Sequence, residues 1–137
     1  MEGYIHSNVS IASAVTSYAI IHMKPFILNP GTVYTDTDSI FTSTPLPSHL
    51  IDDDLGLMKD ELKGSIVEEA YFIDIKKYGY WYYDQSQTIV EKSIISGISR
   101  DSVNFAEIKS VYNGNLITKE IPVRFNKSIK TLNININ

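Results

Sequence analysis

The first regular pattern of hydrophobic and polar positions runs from Asn8 to His22. Apolar residues recur there every three or four positions, which is the spacing of an amphipathic helix. Its many alanines and serines favour close packing on a sheet. Ser7 or Asn8 is expected to cap the start of this helix. Pro25 and Pro30-Gly31 are expected to close it and to make the turn into the first strand, because proline has no amide hydrogen to give to a helix interior.

Several later stretches alternate between apolar and polar positions, and this alternation predicts strands. The aromatic-rich stretch from Glu68 to Tyr83 predicts strands with a bend at Gly79. Thr88 to Gly97 predicts another strand, and Leu116 to Asn137 predicts one or two more. The second half of the chain is therefore expected to be rich in β-structure.

A second helical pattern, from Arg100 to Asn113, interrupts these strands. Asp101 or Ser102 is expected to cap its start, since short polar side chains can accept hydrogen bonds from the first amides of a helix. Gly114 is expected to end it, since glycine readily adopts the left-handed conformation found after helices. Helices and alternating strands together predict an α+β fold.

The stretch from Gly31 to Thr42 predicts a β-hairpin with two acids at its tip. Apolar and β-branched residues lie on both sides of Asp36-Thr37-Asp38-Ser39, and aspartate is favoured in tight turns. Asp36 and Asp38 would repel each other unless water or a cation lies between them. Hard divalent cations bind carboxylate oxygens, so the tip is either a hydrated acidic turn or a metal site.

Composition limits the classes of function that the chain can have. Its 137 residues are enough for one domain. The net charge of −4 argues against a stand-alone nucleic-acid-binding protein, since phosphate contacts come from lysine and arginine. The absence of cysteine excludes disulfides and thiolate zinc sites. No apolar stretch is long enough to span a bilayer, so no membrane partner is expected.

The segment Tyr34–Ile40, YTDTDSI, resembles the third palm motif of family B DNA polymerases, Y-x-D-T-D-S. Further along, Leu55–Met58 is similar to an L-G-x-[FMW] segment of the protein-primed members of that family. The resemblance implies a palm-type antiparallel sheet that contains the hairpin, is packed by helices and continues into a small thumb element. It implies that residues 1–95 are part of a palm and that residues 96–137 begin a thumb.

The resemblance also implies a site. Asp36 and Asp38 would be the catalytic, metal-binding pair, and an intact enzyme would use two Mg²⁺ ions to transfer a nucleotide to a primer 3′-hydroxyl. Lys76 and Tyr78 are similar to the K-x-Y motif that contacts the primer strand in this family. Both would project from one face of a strand, because residues two apart on a strand share a face. Lys92 lies in a loosely similar stretch and is expected to contact a phosphate.

No stretch of the chain resembles the first palm motif or the fingers motif of these enzymes. The chain is therefore expected to be a fragment that does not polymerise DNA alone. Its implied partners are primer-template DNA, a deoxynucleoside triphosphate, a terminal protein primer and a missing N-terminal polymerase half. The segment KKYGYW at residues 76–81 and the Asn-, Ile-, Lys- and Tyr-rich composition resemble those of the branch found on linear mitochondrial plasmids. That branch implies a mitochondrial location, and the phage branch implies the cytoplasm of a phage host.

Two other hypotheses fit parts of the sequence. A calcium-stabilised binding or structural module would use Asp36 and Asp38 together with Asp52–Asp54, although the alternating pattern of a calcium loop is absent. A haloacid-dehalogenase-type phosphatase would use Asp36 and Asp38 in a D-x-D-x-[TV] motif. Ile40 occupies the last position of that motif, so the pattern is missed.

Overall fold

The computed structural model describes residues 8–98 and 102–120, together with the backbone of residues 125–127 and 134–136. The chain forms two compact units, Met1–Lys63 and Gly64–Asn137. The strands of each sheet pair in antiparallel fashion, so the α+β prediction is confirmed.

The boundary expected after residue 95 is the one between the palm and the thumb of a polymerase, and it stays a prediction. The elements in order are α1 (Val9–Ile27), β1 (Thr32–Asp36), β2 (Ser39–Thr42), β3 (Val67–Asp74), β4 (Lys77–Tyr83), β5 (Ile89–Ile95), α2 (Phe105–Tyr112), β6 (Phe125–Lys127) and β7 (Ile134–Ile136).

Helix α1 begins as the sequence predicts but ends later. The side chain of Asn8 accepts a hydrogen bond from the amide of Ile11 at 3.1 Å, which confirms Asn8 as the cap. Pro25 lies inside the helix, so its predicted part in closing α1 is wrong, whereas Pro30 and Gly31 form the predicted turn into β1. A proline so close to the end of a helix removes one hydrogen bond, and the next turn still closes through the Leu28 amide, which donates to the Lys24 carbonyl at 3.0 Å.

The end of α1 leads directly into the predicted hairpin. The hydroxyl of Thr32 donates to the carbonyl of Phe26 at 2.6 Å and ties the start of β1 to the last turn of the helix. β1 pairs with β2 in a two-stranded sheet. A short 3₁₀ turn follows at Ser48–Leu50, and Asp52–Asp54 lie exposed in the bend after it.

The second unit is built on the three-stranded sheet β3-β4-β5. The chain reverses between β3 and β4 at Ile75 and Lys76, so the prediction of a bend at Gly79 is wrong. Gly79 lies inside β4, where it pairs with Tyr71 on β3 and Ser93 on β5. It is glycine because α2 crosses the sheet at this point: a Cβ at position 79 would come within 2.7 Å of Cδ1 of Ile108.

Helix α2 packs one face onto this sheet through Phe105 and Ile108, both buried. Its cap is Asn104, which accepts a hydrogen bond from the Glu107 amide while the Glu107 carboxylate accepts one from the Asn104 amide, each at 2.9 Å. The prediction of Ser102 as the cap is wrong, and Asp101 lies outside the described residues. Gly114 follows the helix with a φ of +91°, as predicted.

The final predicted strands are confirmed as the short antiparallel pair β6–β7. The rest of the predicted stretch is irregular from 116 to 120 or lies outside the described residues. Within the described part of the chain, no helix combines the length and the apolar character needed to cross a bilayer.

Candidate metal centre and nucleic-acid surface

The acidic hairpin has the short turn that the sequence predicts. Thr35 pairs with Ile40 and Asp36 pairs with Ser39, which leaves Thr37 and Asp38 as the two turn residues. The amide of Asp38 donates to the carbonyl of Asp36 at 2.8 Å. A hydrogen bond between residues two apart is that of a γ-turn, with Thr37 at its centre.

Thr37 has a φ of +59°, in the left-handed region. A β-branched residue is rarely found there, because its side chain crowds the backbone. Such strained positions cost of order 1–3 kcal/mol and persist where the surrounding structure enforces them. The strain is therefore located between the two candidate metal-binding residues.

Neighbouring hydroxyls hold the Asp36 side of the tip. The Thr37 hydroxyl donates to Oδ1 of Asp36 at 3.3 Å, and the Ser39 hydroxyl donates to the Asp36 carbonyl at 3.1 Å. Asp36 is half-buried at the end of β1 and Asp38 is exposed in the turn. These two carboxylates offer oxygen ligands of the kind that Mg²⁺ prefers.

Across the ranges that the structure describes, no three His, Cys, Asp or Glu side chains converge in a way that could hold a metal ion. Asp36 and Asp38 alone supply few ligands, so an ion bound there would take its other ligands from water or phosphate, as Mg²⁺ commonly does. The calcium hypothesis gains no support. Asp53 instead pairs with Lys59 at 2.9 Å, and the Asp52 carboxylate accepts a hydrogen bond from the Asp53 amide at 2.7 Å.

Lys76 and Tyr78 are arranged differently from the sequence expectation. Lys76 lies in the turn before β4 with a φ of +55°, so the prediction that both residues project from one face of a strand is wrong. The left-handed backbone of Lys76 takes it out of the strand geometry. The side chains alternate between the two sheet faces only from Lys77 onward. Tyr78 is 7% exposed and its ring packs beside Phe72 with centroids 5.9 Å apart. The roles of Lys76 and Tyr78 in DNA binding stay predictions.

The sheet face opposite α2 carries a row of tyrosines that the sequence analysis did not single out. Tyr78, Tyr80 and Tyr82 alternate along β4, with successive ring centroids 6.5 and 6.2 Å apart and nearly parallel planes. Lys92 on β5 is paired with Tyr80 and so shares this face. The signal for the row was the Y-x-Y-x-Y alternation within Tyr78–Tyr82. Exposed Lys92 and these rings are groups that nucleic-acid surfaces use.

A polar cluster on the other face connects α2 to the sheet. Glu69 accepts hydrogen bonds from Lys109 at 2.8 Å, from the Tyr71 hydroxyl at 2.5 Å and from the indole of Trp81 at 3.2 Å. The bond from Lys109, followed by those from Tyr71 and Trp81, lowers the pKa of Glu69 to about 2. Sequence analysis missed this cluster, because Glu69 and Lys109 are far apart in the chain.

Comparisons with known proteins found relatives of one named class. Three curated proteins, each named "Probable DNA polymerase", are similar to this chain. The protein of Podospora anserina is 36% identical over a match of 115 residues that covers 76% of this chain. The protein of Agaricus bitorquis is 31% identical over a match of 136 residues that covers 96% of this chain. The protein of Neurospora intermedia is 32% identical over 100 residues, or 71% of this chain.

The chain spans only a small share of these relatives: 9%, 16% and 10% of their respective lengths. No family model matches the chain, and no solved structure matches it. The similarity therefore covers most of this chain but a short segment of each relative. The likenesses support a relationship between this chain and part of a DNA polymerase.

Proposed function

We propose that this chain is the part of a DNA-directed DNA polymerase palm that carries an acidic, metal-binding hairpin. The observation that carries the proposal is the tight turn between β1 and β2, which sets Asp36 and Asp38 on either side of Thr37. The names of the three relatives support the same class of enzyme. The reaction would be transfer of a nucleotide from a deoxynucleoside triphosphate to a primer 3′-hydroxyl.

Asp36 is the principal ligand in this proposal, and Asp38 is a weaker ligand or an electrostatic support. The Thr37 hydroxyl, which donates to Oδ1 of Asp36, would keep that carboxylate in one orientation. Mg²⁺ bound here would offset the negative charge of the nucleotide phosphates and of the attacking and leaving oxygens. Two carboxylates leave most of an octahedral shell open, so other ligands must come from the nucleotide, water or another segment.

The primer strand would lie against the second unit. Lys92 is exposed and is suited to a phosphate contact, because it shares a sheet face with Tyr80. Lys76, in the turn before β4, would supply a second positive charge near the start of that face. Tyr78 would contribute mainly by shaping the surface, since little of its side chain is exposed.

We further propose that this polymerase belongs to the protein-primed branch of family B, with a terminal protein as primer and a linear mitochondrial plasmid as replicon. Its support is the order of the Tyr34–Ile40, Leu55–Met58 and Lys76–Tyr78 segments in the sequence. In this proposal residues 1–95 belong to the palm and residues 96–137 begin the thumb. The 137-residue chain alone would not extend a primer.

The test is a chimera in which this chain replaces the matched 136 residues of the Agaricus bitorquis protein. We expect templated primer extension by the chimera and its loss in Asp36→Asn, with DNA binding retained. Asp54→Asn makes the same chemical change at an exposed acid outside the hairpin and should leave extension unchanged. Equal activity in Asp36→Asn and the parent chimera would contradict the proposal. Templated incorporation by the isolated chain above its own Asp36→Asn variant would contradict only the expectation that the 137-residue chain does not extend a primer alone.

A further inference from the structure

Helix α1 presents a stripe of large apolar side chains to solvent. Ile11, Val15 and Tyr18 lie at positions i, i+4 and i+7, which is the spacing of one helix face. Their side chains are 62%, 64% and 72% exposed. Within α1, which is described throughout, the only buried residues are Met23 and Phe26, both near its C-terminal end.

This part of α1 has little intrinsic reason to be helical. From Val9 to His22, six of the fourteen residues are β-branched and three are serine, and both types are weaker helix formers than alanine or leucine. No acidic residue lies in the first turn to interact favourably with the helix dipole. Helices of this kind are stabilised mostly by packing of an apolar face. The exposed stripe therefore indicates a partner surface that covers it.

The chemistry of the helix indicates which class of partner this is. A nucleic acid would require cations, yet the first basic residue of α1 is Lys24, near its end. A helix that lies on a lipid surface carries lysines or arginines on its polar side. The side of α1 opposite the stripe carries none: it holds serines together with exposed aliphatic residues, namely Ser10, Ser13, Ser17, Val9, Ile20 and Ile21. Aliphatic and tyrosine side chains without charges match an apolar protein surface.

We propose that the Ile11–Val15–Tyr18 stripe of α1 is a docking surface for another part of the polymerase polypeptide. The relatives contain long segments that could form such a part, because the matched segment is only 9–16% of their lengths. Docking would bury the stripe and hold the helix that leads into the Asp36–Asp38 hairpin. It does not depend on metal binding by those two residues.

The chain contains no cysteine, so single cysteines can report burial directly. Val15→Cys lies on the stripe, and Ser13→Cys lies on the opposite side of the same helix. In the isolated chain both positions are exposed, and we expect both thiols to react with a soluble maleimide at similar rates. The probe partner is the Agaricus bitorquis protein with its matched 136 residues deleted.

With this partner added, the reaction of Val15→Cys should slow by about tenfold or more, since a covered thiol reacts only after local opening. Ser13→Cys should change little. Repeating the experiment in an Asp36→Asn background should give the same protection, which separates this proposal from the proposed catalytic role. Val15→Lys should prevent association with the partner, whereas Ser13→Lys should not.

Three results would overturn the proposal. One is equal reaction of the two thiols in the presence of the partner. Another is protection of Val15→Cys by phosphatidylcholine vesicles alone, which would indicate a lipid surface. The third is protection that grows with the concentration of the isolated chain, which would indicate a second copy of this chain on the stripe.

Discussion

Gly79 of β4 lies directly against Ile108 of α2. A Cβ on Gly79 would come within 2.7 Å of Cδ1 of Ile108 and within 3.3 Å of the Lys92 carbonyl. Ile108 is fully buried, so its side chain cannot turn outward to make room. The absence of a side chain at position 79 is therefore what lets the helix lie close to the sheet.

Gly79→Ala should destabilise the second unit by about 1–3 kcal/mol, the usual cost of overpacking a filled core. Ile108→Val removes the clashing methyl group, so the double variant should recover part of the loss in a double-mutant cycle. Urea unfolding followed by the fluorescence of Trp81, the single tryptophan, measures both. Additive effects of the two substitutions would contradict the proposed contact.

The Glu69 cluster should make the stability of the second unit fall at low pH. The pKa of Glu69 is lowered from 4.5 to about 2, so the folded form binds its proton less tightly than the unfolded form. The resulting stabilisation is fully present above the unfolded pKa and is lost as the pH falls from about 4.5 towards 2. In Glu69→Gln, the urea midpoint reported by Trp81 should change less over this range. The same pH dependence in the variant and the parent would contradict the role given to Glu69.

Thr37→Gly should stabilise the hairpin by about 1 kcal/mol, because glycine adopts a positive φ without steric cost. Thr35→Gly is the matched control: it changes the same residue type inside β1 and should destabilise the hairpin, because glycine is a poor strand residue. Hydrogen exchange of the cross-strand amides of β1 and β2 measures the free energy of local opening. Faster exchange in Thr37→Gly than in the parent would show that Thr37 is not strained.

Asn104→Ala should destabilise the second unit by about 1 kcal/mol, since it removes the acceptor that caps α2. Asn104→Asp keeps an oxygen in the same place and should retain most of the stability. Urea unfolding monitored at Trp81 compares the two variants. If they unfold at the same urea concentration, the capping box does not contribute as the geometry indicates.

Elements specified by local rules could be predicted from the sequence. The Asp36–Ser39 turn, the Asn8 cap and strand β5 each follow from residues next to one another. The error at Gly79 arose because a contact distant in sequence decides: this residue is glycine because of Ile108 and not because the strand bends. The errors at Pro25 and at the cap of α2 concern local contacts. The turn at Lys76 gave no glycine or proline signal, because a lysine occupies the left-handed position.

The candidate functional residues also divide into those that local sequence predicts and those that depend on contacts distant in sequence. The two acids of the hairpin are visible in the sequence, because the turn that separates them is local. The row of Tyr78, Tyr80 and Tyr82 follows from local alternation, but the position of Lys92 beside it depends on the register between β4 and β5, which the sequence does not state. Glu69 and Lys109 meet only because α2 folds back onto β3.

Divalent-metal binding by the hairpin is the most direct test of the account. Titration of the 137-residue chain with Mn²⁺, followed by water-proton relaxation, would compare the parent with Asp36→Asn, Asp38→Asn and Asp54→Asn. We expect affinity to fall by about tenfold in Asp36→Asn, since a direct carboxylate ligand is lost, and by less in Asp38→Asn. Asp54→Asn should bind like the parent. Equal Mn²⁺ affinity in all four proteins would contradict the assignment of the hairpin as a metal site.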